Sequence, residues 1–234
     1  MENQDKIEKL KRLHDEGKWN NEIAKFLKFI NFNYPSLEFV DPYTIRSTAI
    51  VFTDTPFKNF PLTLKSINQL EFSKDEGFND QTLSIVVPKV RNLYVENAAF
   101  KLKESHNLHV EDIVSVLSCE VDNFKNLLAP GLRVEKLLIS SCNVVSLEGC
   151  PSRVKTVFEV EDSTLETLKF MPEMILKVRL IRSTVKSGWL YPFTSKIGVF
   201  DEDSFIGAMY NKYNNIYDAA SYLIEHGFEK EAEL

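Results

Sequence analysis

Two histidines three residues apart, His106 and His109, stand with Glu104, Glu111 and Asp112 in the densest gathering of potential metal ligands in the sequence. Zinc needs three or four ligands converging on one point, and a spacing of three converges only on a helix. Asn107 and the charged neighbours read instead as a solvated loop, so no metal is expected there. Cys119, Cys142 and Cys150 form neither a CxxC pair nor an even disulfide framework, which fits a reducing compartment. A nucleophilic cysteine needs a base and an electropositive setting. No neighbouring pattern supplies them, so the cysteines read as structural. Phosphate-binding glycine loops, GxSxG and HExxH are missing, and Trp19 and Trp189 stand alone rather than forming a base-stacking platform. Carboxylates offer one enzymatic alternative. Glu96, Glu120, Glu159 and Glu161 could share a sheet face, as the acids of a polysaccharide-cleaving parallel β-helix do. The leading expectation remains a non-enzyme with no catalytic residues and no cofactor.

The element that must position these side chains is a repeat. Val134 to Pro151, VEKLLISSCNVVSLEGCP, has buried-type residues at Val134, Leu137, Ile139, Cys142, Val144 and Leu147. That spacing fits a short strand, a turn at Cys142–Asn143 and a return segment aimed at the same core. Such a unit needs stacked copies to bury its apolar side. Aligning on Leu137/Ile139 gives the pairs Ile50/Phe52, Leu70/Phe72, Leu93/Val95, Leu117/Cys119, Phe158/Val160 and Val178/Leu180, with Val199 opening a degenerate last rung. Return positions fall at Phe57 and Phe60, Phe78 and Leu83, Phe100, Phe124 and Leu127, Val144 and Leu147, Leu165 and Leu168, and Val185. Prolines follow at Pro61, Pro88, Pro130, Pro151, Pro172 and Pro192, where a missing amide donor suits an outer loop. The stretch Lys101–Asp112 reads as an insertion on such a loop.

The phrase VEKLLISSCNVVSLEGCPSRV resembles leucine-rich repeats of the bacterial and bacteriophage kind, over roughly residues 45–200. Other rungs depart from it, using Phe or Val at apolar positions and Thr55, Ala98, Asp122, Ser163 or Ser183 at the turn. The resemblance implies an irregular α/β repeat solenoid with one parallel strand per rung, about seven rungs, and a concave sheet used mostly to bind other proteins. A bacteriophage-encoded inhibitor or adaptor acting on a host protein, in the host cytoplasm, follows from the same resemblance. The expected organisation is an N-terminal helical cap over 1–44, the solenoid over 45–205 and a C-terminal helical cap over 206–234. The first cap rests on Ile7, Leu10, Ile23, Phe26, Leu27 and Ile30. The last rests on Ile216, Ala219, Leu223 and Ile224 before Gly227.

A net charge of −6 argues against sequence-independent nucleic-acid binding and suits a basic partner surface. A charged N-terminus and the lack of a long apolar run lead to the expectation of a soluble cytoplasmic protein without a membrane role. Alternation places Glu71, Tyr94, Glu96, Ser118, Glu120, Leu138, Ser140, Glu159, Glu161, Lys177, Arg179 and Ile181 on the open side of the strands. Of these, Glu71, Tyr94, Glu96, Glu120, Leu138, Glu159, Lys177 and Arg179 are the candidate partner-binding residues. The 101–112 insertion is the competing site, since long loops often carry function. A structural assembly subunit is a further alternative.

Overall fold

The computed structural model describes residues 38–41, 44–52, 63–73, 78–84 and 89–232, with side chains from Ile67 onward. The strands are β1 (Glu38–Asp41), β2 (Thr44–Phe52), β3 (Thr63–Phe72), β4 (Lys89–Glu96), β5 (His109–Leu117), β6 (Glu120–Val121), β7 (Arg133–Ser140), β8 (Asn143–Val144), β9 (Arg153–Glu161), β10 (Thr164–Leu165), β11 (Met174–Ile181), β12 (Thr184–Val185) and β13 (Lys196–Phe200). Nine form one sheet in the order β1-β2-β3-β4-β5-β7-β9-β11-β13, parallel throughout except for β1 against β2. The two-residue strands β6, β8, β10 and β12 build a second, narrow parallel sheet. The chain is therefore a parallel-strand solenoid of about six turns, each with one long strand, a corner and a short return strand.

Register explains why these residues can stack. Ile50, Leu70, Leu93, Val114, Leu137, Phe158, Val178 and Phe200 are successive lateral neighbours across the sheet. From Leu70 onward every one is buried. The second inward row runs Phe72, Val95, Val116, Ile139, Val160, Leu180. The rung expected at Leu117/Cys119 is thus corrected to Val114/Val116. Leu117 lies outward at 38% exposure, and Cys119 belongs to the corner. Ile113-Val114-Ser115-Val116-Leu117 is apolar in both phases of the alternation, so pattern alone chose the wrong face. Val199 likewise pairs with outward Lys177, and Phe200 takes the inward place. Phe72 of β3 opens a column of ring contacts with Phe78, Phe100 and Phe124 on the return side, centroids 4.6–5.7 Å apart. Val144, Leu147, Leu165 and Leu168 continue the buried side.

The corner repeats as faithfully as the strand. Asn97, Ser118, Ser141, Asp162 and Arg182, each directly after a long strand, have φ between 48° and 54°. That left-handed residue turns the chain, and the next residue faces inward: Ala98, Cys119, Cys142, Ser163, Ser183. These corner residues are laddered. The amide of Ala98 donates to Cys119 Sγ (3.4 Å), Cys119 to Cys142 Sγ (3.3 Å), Cys142 to Ser163 Oγ (3.0 Å), and Ser163 to Ser183 Oγ (3.2 Å). Each thiol or hydroxyl donates in turn to the carbonyl two residues back, Leu117, Ser140, Glu161 or Ile181. A small side chain that both accepts and donates satisfies backbone groups that the bend would otherwise bury unpaired. Asp122, expected at this turn, is exposed and Cys119 replaces it.

The 101–112 stretch is not a projecting insertion. Its last four residues open β5. Its first part is sewn to the next turn by Leu108 N to Leu127 O (2.9 Å), His106 N to Asn126 O (2.9 Å) and Asn126 Nδ2 to Leu102 O (2.7 Å). A short helix, α1 (Asp80–Leu83), carries Asp80, which accepts from the amides of Lys103 and Glu104 and bonds His106 Nε2 at 2.9 Å. After β13 come α2 (Phe205–Lys212) and α3 (Ile216–Glu225), both within the stretch expected to be helical over 206–234 apart from the first residue of α2. Ile206 of α2 joins the solenoid core. Ala219 and Leu223 of α3 pack with Leu190 and Met209, whereas Ile224 is exposed. The helices expected over 1–31, and Thr55, Phe57, Phe60, Pro61 and Pro88, lie outside the described residues.

Candidate functional site

On the outward side of the long sheet the pairing fixes which side chains are neighbours. The middle row is Glu71, Tyr94, Ser115, Leu138, Glu159 and Arg179, each opposite the next on adjacent parallel strands. A row nearer the corner is Glu96, Leu117, Ser140, Glu161 and Ile181. Strands about 4.8 Å apart bring each step of a row into side-chain contact range. Seven of the eight candidate partner-binding residues share this face. The exception is Glu120, which sits on β6 in the narrow sheet and accepts from Asn143 Nδ2 at 2.8 Å. Its displacement follows from the shifted β5 register, as does that of Ser118.

The face divides electrostatically. Towards β11 and β13 the charges satisfy one another. Arg179 Nη1 meets Glu159 at 2.6 Å and its Nε meets Asp201 at 3.1 Å, while Lys177 reaches Asp201 at 3.1 Å. The charge of Glu159 therefore pushes the Arg179 pKa up. At the corner, Arg182 holds Glu161 and Asp162, each at 2.7 Å, and its hydrogen bond keeps the Asp162 carboxyl below the usual range. Towards β3 and β4 the pattern reverses. Glu71 and Glu96 have no ion pair among the described residues, and Glu71 only accepts from Gln69 Nε2 at 3.4 Å. Glu71 lies directly opposite Tyr94, with Glu96 two residues beyond Tyr94 on the same strand, around a shallow depression of about 370 Å³ lined by Gln69, Glu71, Tyr94, Glu96, Ser115 and Leu117. Leu138 continues the row beyond Ser115.

Four contributors escaped sequence reasoning. Gln69 and Ser115 lie in the outward phase of strands β3 and β5, and Leu117 joins them once the β5 register is corrected. Asp201, which neutralises Arg179, lies 22 residues after it, one rung period on.

The other chemistry-bearing groups do not converge. His106 turns inward to Asp80, with its side chain 7% exposed, contrary to the solvated-loop reading. His109 starts β5 and is exposed on the outer face. Burial opposes ionisation of Asp80, but hydrogen bonds from His106 and two amides outweigh it and hold the carboxyl low. Among the described residues no three His, Cys, Asp or Glu side chains are grouped to hold a metal ion. The three cysteines are free. The Cys119 thiol is pushed up by its hydrogen bond with Cys142 and by burial, and burial pushes Cys150 up to about 12. Of the four carboxylates that could have formed an acid–base set, Glu159 and Glu161 are tied to arginines. Glu120 faces elsewhere, and Glu96 stands three strands from Glu161.

Compared with protein-family profiles, curated proteins and solved structures, the chain shows no significant match. Among the described residues no helix is long and apolar enough to cross a membrane.

Proposed function

We propose that the chain is a non-catalytic protein-binding solenoid of the leucine-rich-repeat kind, closed at its C-terminal end by α2 and α3. The observation that carries the binding reading is the unpaired corner Glu71–Tyr94–Glu96. A depression holding two free carboxylates, an aromatic ring and the outward Leu117 offers both charge and apolar area to a partner. Towards β11 and β13 the same face neutralises its charges internally, so a basic, partly apolar protein surface is the partner that matches this acidic corner. Support for the repeat type comes from Val134, Leu137, Ile139, Cys142, Val144 and Leu147, all buried at the spacing of a leucine-rich rung, with Cys142 at its ladder position. Free cysteines suit a reducing cytoplasm. A bacteriophage-encoded inhibitor or adaptor aimed at a host protein is the biological role this reading favours. A rigid array loses little entropy on docking, so a small patch suffices.

Affinity capture from bacterial lysate, with wild-type protein beside Tyr94→Ala and the double variant Glu71→Lys/Glu96→Lys, tests the reading. A protein retained at low salt by wild type and lost with both variants supports it. A protein retained equally by all three sinks it. Among the described residues Glu71 and Glu96 are also a diagonal pair of free carboxylates on the face. Cleavage of an acidic polysaccharide by the purified protein, abolished by either single Glu→Gln variant, would replace the binding reading with the enzymatic one.

A further inference from the structure

At the opposite corner of the same sheet, where the long strands begin, lies a line of exposed side chains. Arg133 of β7 is paired laterally with Arg153 of β9, Arg153 with Met174 of β11, and Met174 with Lys196 of β13. All four are exposed. Lys136, one outward row further along β7, is exposed beside them.

The pairing of cations across the described molecule sets this corner apart. Arg91, Lys89, Lys125, Lys155, Lys177, Arg179, Arg182 and Lys186 each hold a carboxylate. Among the described residues Arg133 and Arg153 are the two arginines without one, and they lie directly opposite each other. Like charges facing across a strand pair oppose folding. The nearest carboxylates do not relieve it: Glu135 is engaged by Lys155, and the exposed Glu173 makes no ion pair. Between the cations sits apolar surface. A notch of about 210 Å³ is walled by Arg153, Lys155 and Lys196 and floored by Met174, Ile175 and Leu176. Leu176 is 57% exposed and Val199 on the next strand 53%. Gly198 lines the notch, and a Cβ there would stand 2.6 Å from the Leu176 carbonyl oxygen, too close for any other residue without a backbone shift.

We infer that this corner is a second binding site, for an acidic peptide segment of a protein that lies across the strands and places an apolar side chain in the notch. Two arginines on adjacent strands, with backbones about 4.8 Å apart, can bring their guanidinium groups to one carboxylate from both sides. In an extended peptide, residues i, i+2 and i+4 share one face at steps of about 6.8 Å, so acidic side chains at i and i+4 can meet Arg133/Arg153 and Lys196 while an apolar side chain at i+2 enters the notch. The apolar notch favours a peptide over nucleic acid, which would leave Met174 and Leu176 uncovered. The acidic character of the whole chain weakens any long-range pull on a nucleic acid as well. The site is separate from the Glu71–Tyr94–Glu96 depression and stands without it.

The test uses the full chain and a short fluorescein-labelled peptide built on Glu-Ser-Leu-Ser-Glu, which presents glutamate, leucine and glutamate on one extended face, followed by fluorescence anisotropy. Parallel arms use the same peptide with lysine for glutamate, single-stranded oligothymidylate, and phosphatidylcholine vesicles containing phosphatidylserine. Binding of the Glu/Leu peptide should fall at least about tenfold in Arg153→Glu and in Leu176→Ser. The lysine peptide should not bind this corner. Arg153→Glu should also melt no lower than wild type, because it converts a like-charged pair into an opposite one. Loss of binding without loss of stability separates a ligand site from a structural feature, and Arg133→Glu serves if the first variant fails to fold. Peptide binding that is absent, or indifferent to Arg153→Glu, overturns the inference. Preferential binding of oligothymidylate or vesicles that disappears in Arg153→Glu overturns the peptide assignment and gives the corner to that polyanion.

Discussion

Replacing Ser163 by alanine should destabilise the solenoid through a single backbone amide. Ser163 Oγ accepts the Cys142 N–H at 3.0 Å and donates to the Glu161 carbonyl at 2.6 Å. The carbonyl would remain satisfied, since the Ser141 amide also donates to it at 2.9 Å. The Cys142 amide would have no replacement partner, and Cys142 is buried. An unsatisfied buried donor costs about 1–3 kcal/mol. In a chain of this length that corresponds to roughly 2–12 °C in melting temperature. Ser163→Cys should cost less than about 1 kcal/mol, because cysteine fills the same role one and two turns earlier, with Sγ bonds of 3.1–3.4 Å. Thr184→Ala, on the exposed side of β12, should change stability by no more than about 0.5 kcal/mol. Chemical denaturation followed by far-ultraviolet circular dichroism measures all three. If Ser163→Ala matches Thr184→Ala, or Ser163→Cys is as damaging as alanine, the corner ladder is not what holds the turns.

Leu137→Ala, at a fully buried position, should cost on the order of 2–5 kcal/mol, and Lys136→Ala on the exposed row well under about 1 kcal/mol; thermal melts compare them. Lowered carboxyls at Asp80 and Asp162 contribute stability that is present above their unfolded pKa and lost as pH falls through the folded one. Melting temperature should therefore drop below about pH 4, and less steeply in Asp80→Asn, whereas identical pH profiles would deny the Asp80–His106 tie a role. Native protein should react with a thiol reagent far more slowly than denatured protein, because Cys119 and Cys142 are buried and burial raises Cys150; rapid native labelling would place a sulfur at the surface.

The repeat was legible because one unit carries it almost whole. Val134, Leu137 and Ile139 are inward in both the sequence reading and the structure, and the same period found the inward pairs of β3, β4, β9 and β11. It failed at β5, where four of the five residues Ile113–Leu117 are apolar and offer such side chains to either face. There the decision came from the corner: Cys119 stacks on Cys142, a lateral thiol contact that strand alternation does not encode. The 101–112 stretch misled through its charge, since buried Leu108 and inward His106 are outnumbered by exposed neighbours. At the candidate site, face membership followed from alternation once register was known. Charge pairing did not, because Arg179 finds Glu159 and Asp201 only through turns stacked 20 and 22 residues apart. Separating occupied charges from free ones therefore needed the structure, and it narrowed eight candidates to the Glu71–Tyr94–Glu96 corner and its apolar flank.

That corner is tested most directly by the affinity of the captured protein partner for wild type, Glu71→Lys/Glu96→Lys and Glu166→Ala, measured at low and high salt. Glu166 is a control, since its carboxylate lies outside the long sheet and pairs with Lys186. The double reversal should slow association, lower affinity at least about tenfold and flatten the salt dependence, with Glu166→Ala matching wild type. Unchanged affinity and salt dependence in a folded double variant would contradict the assignment of the binding face.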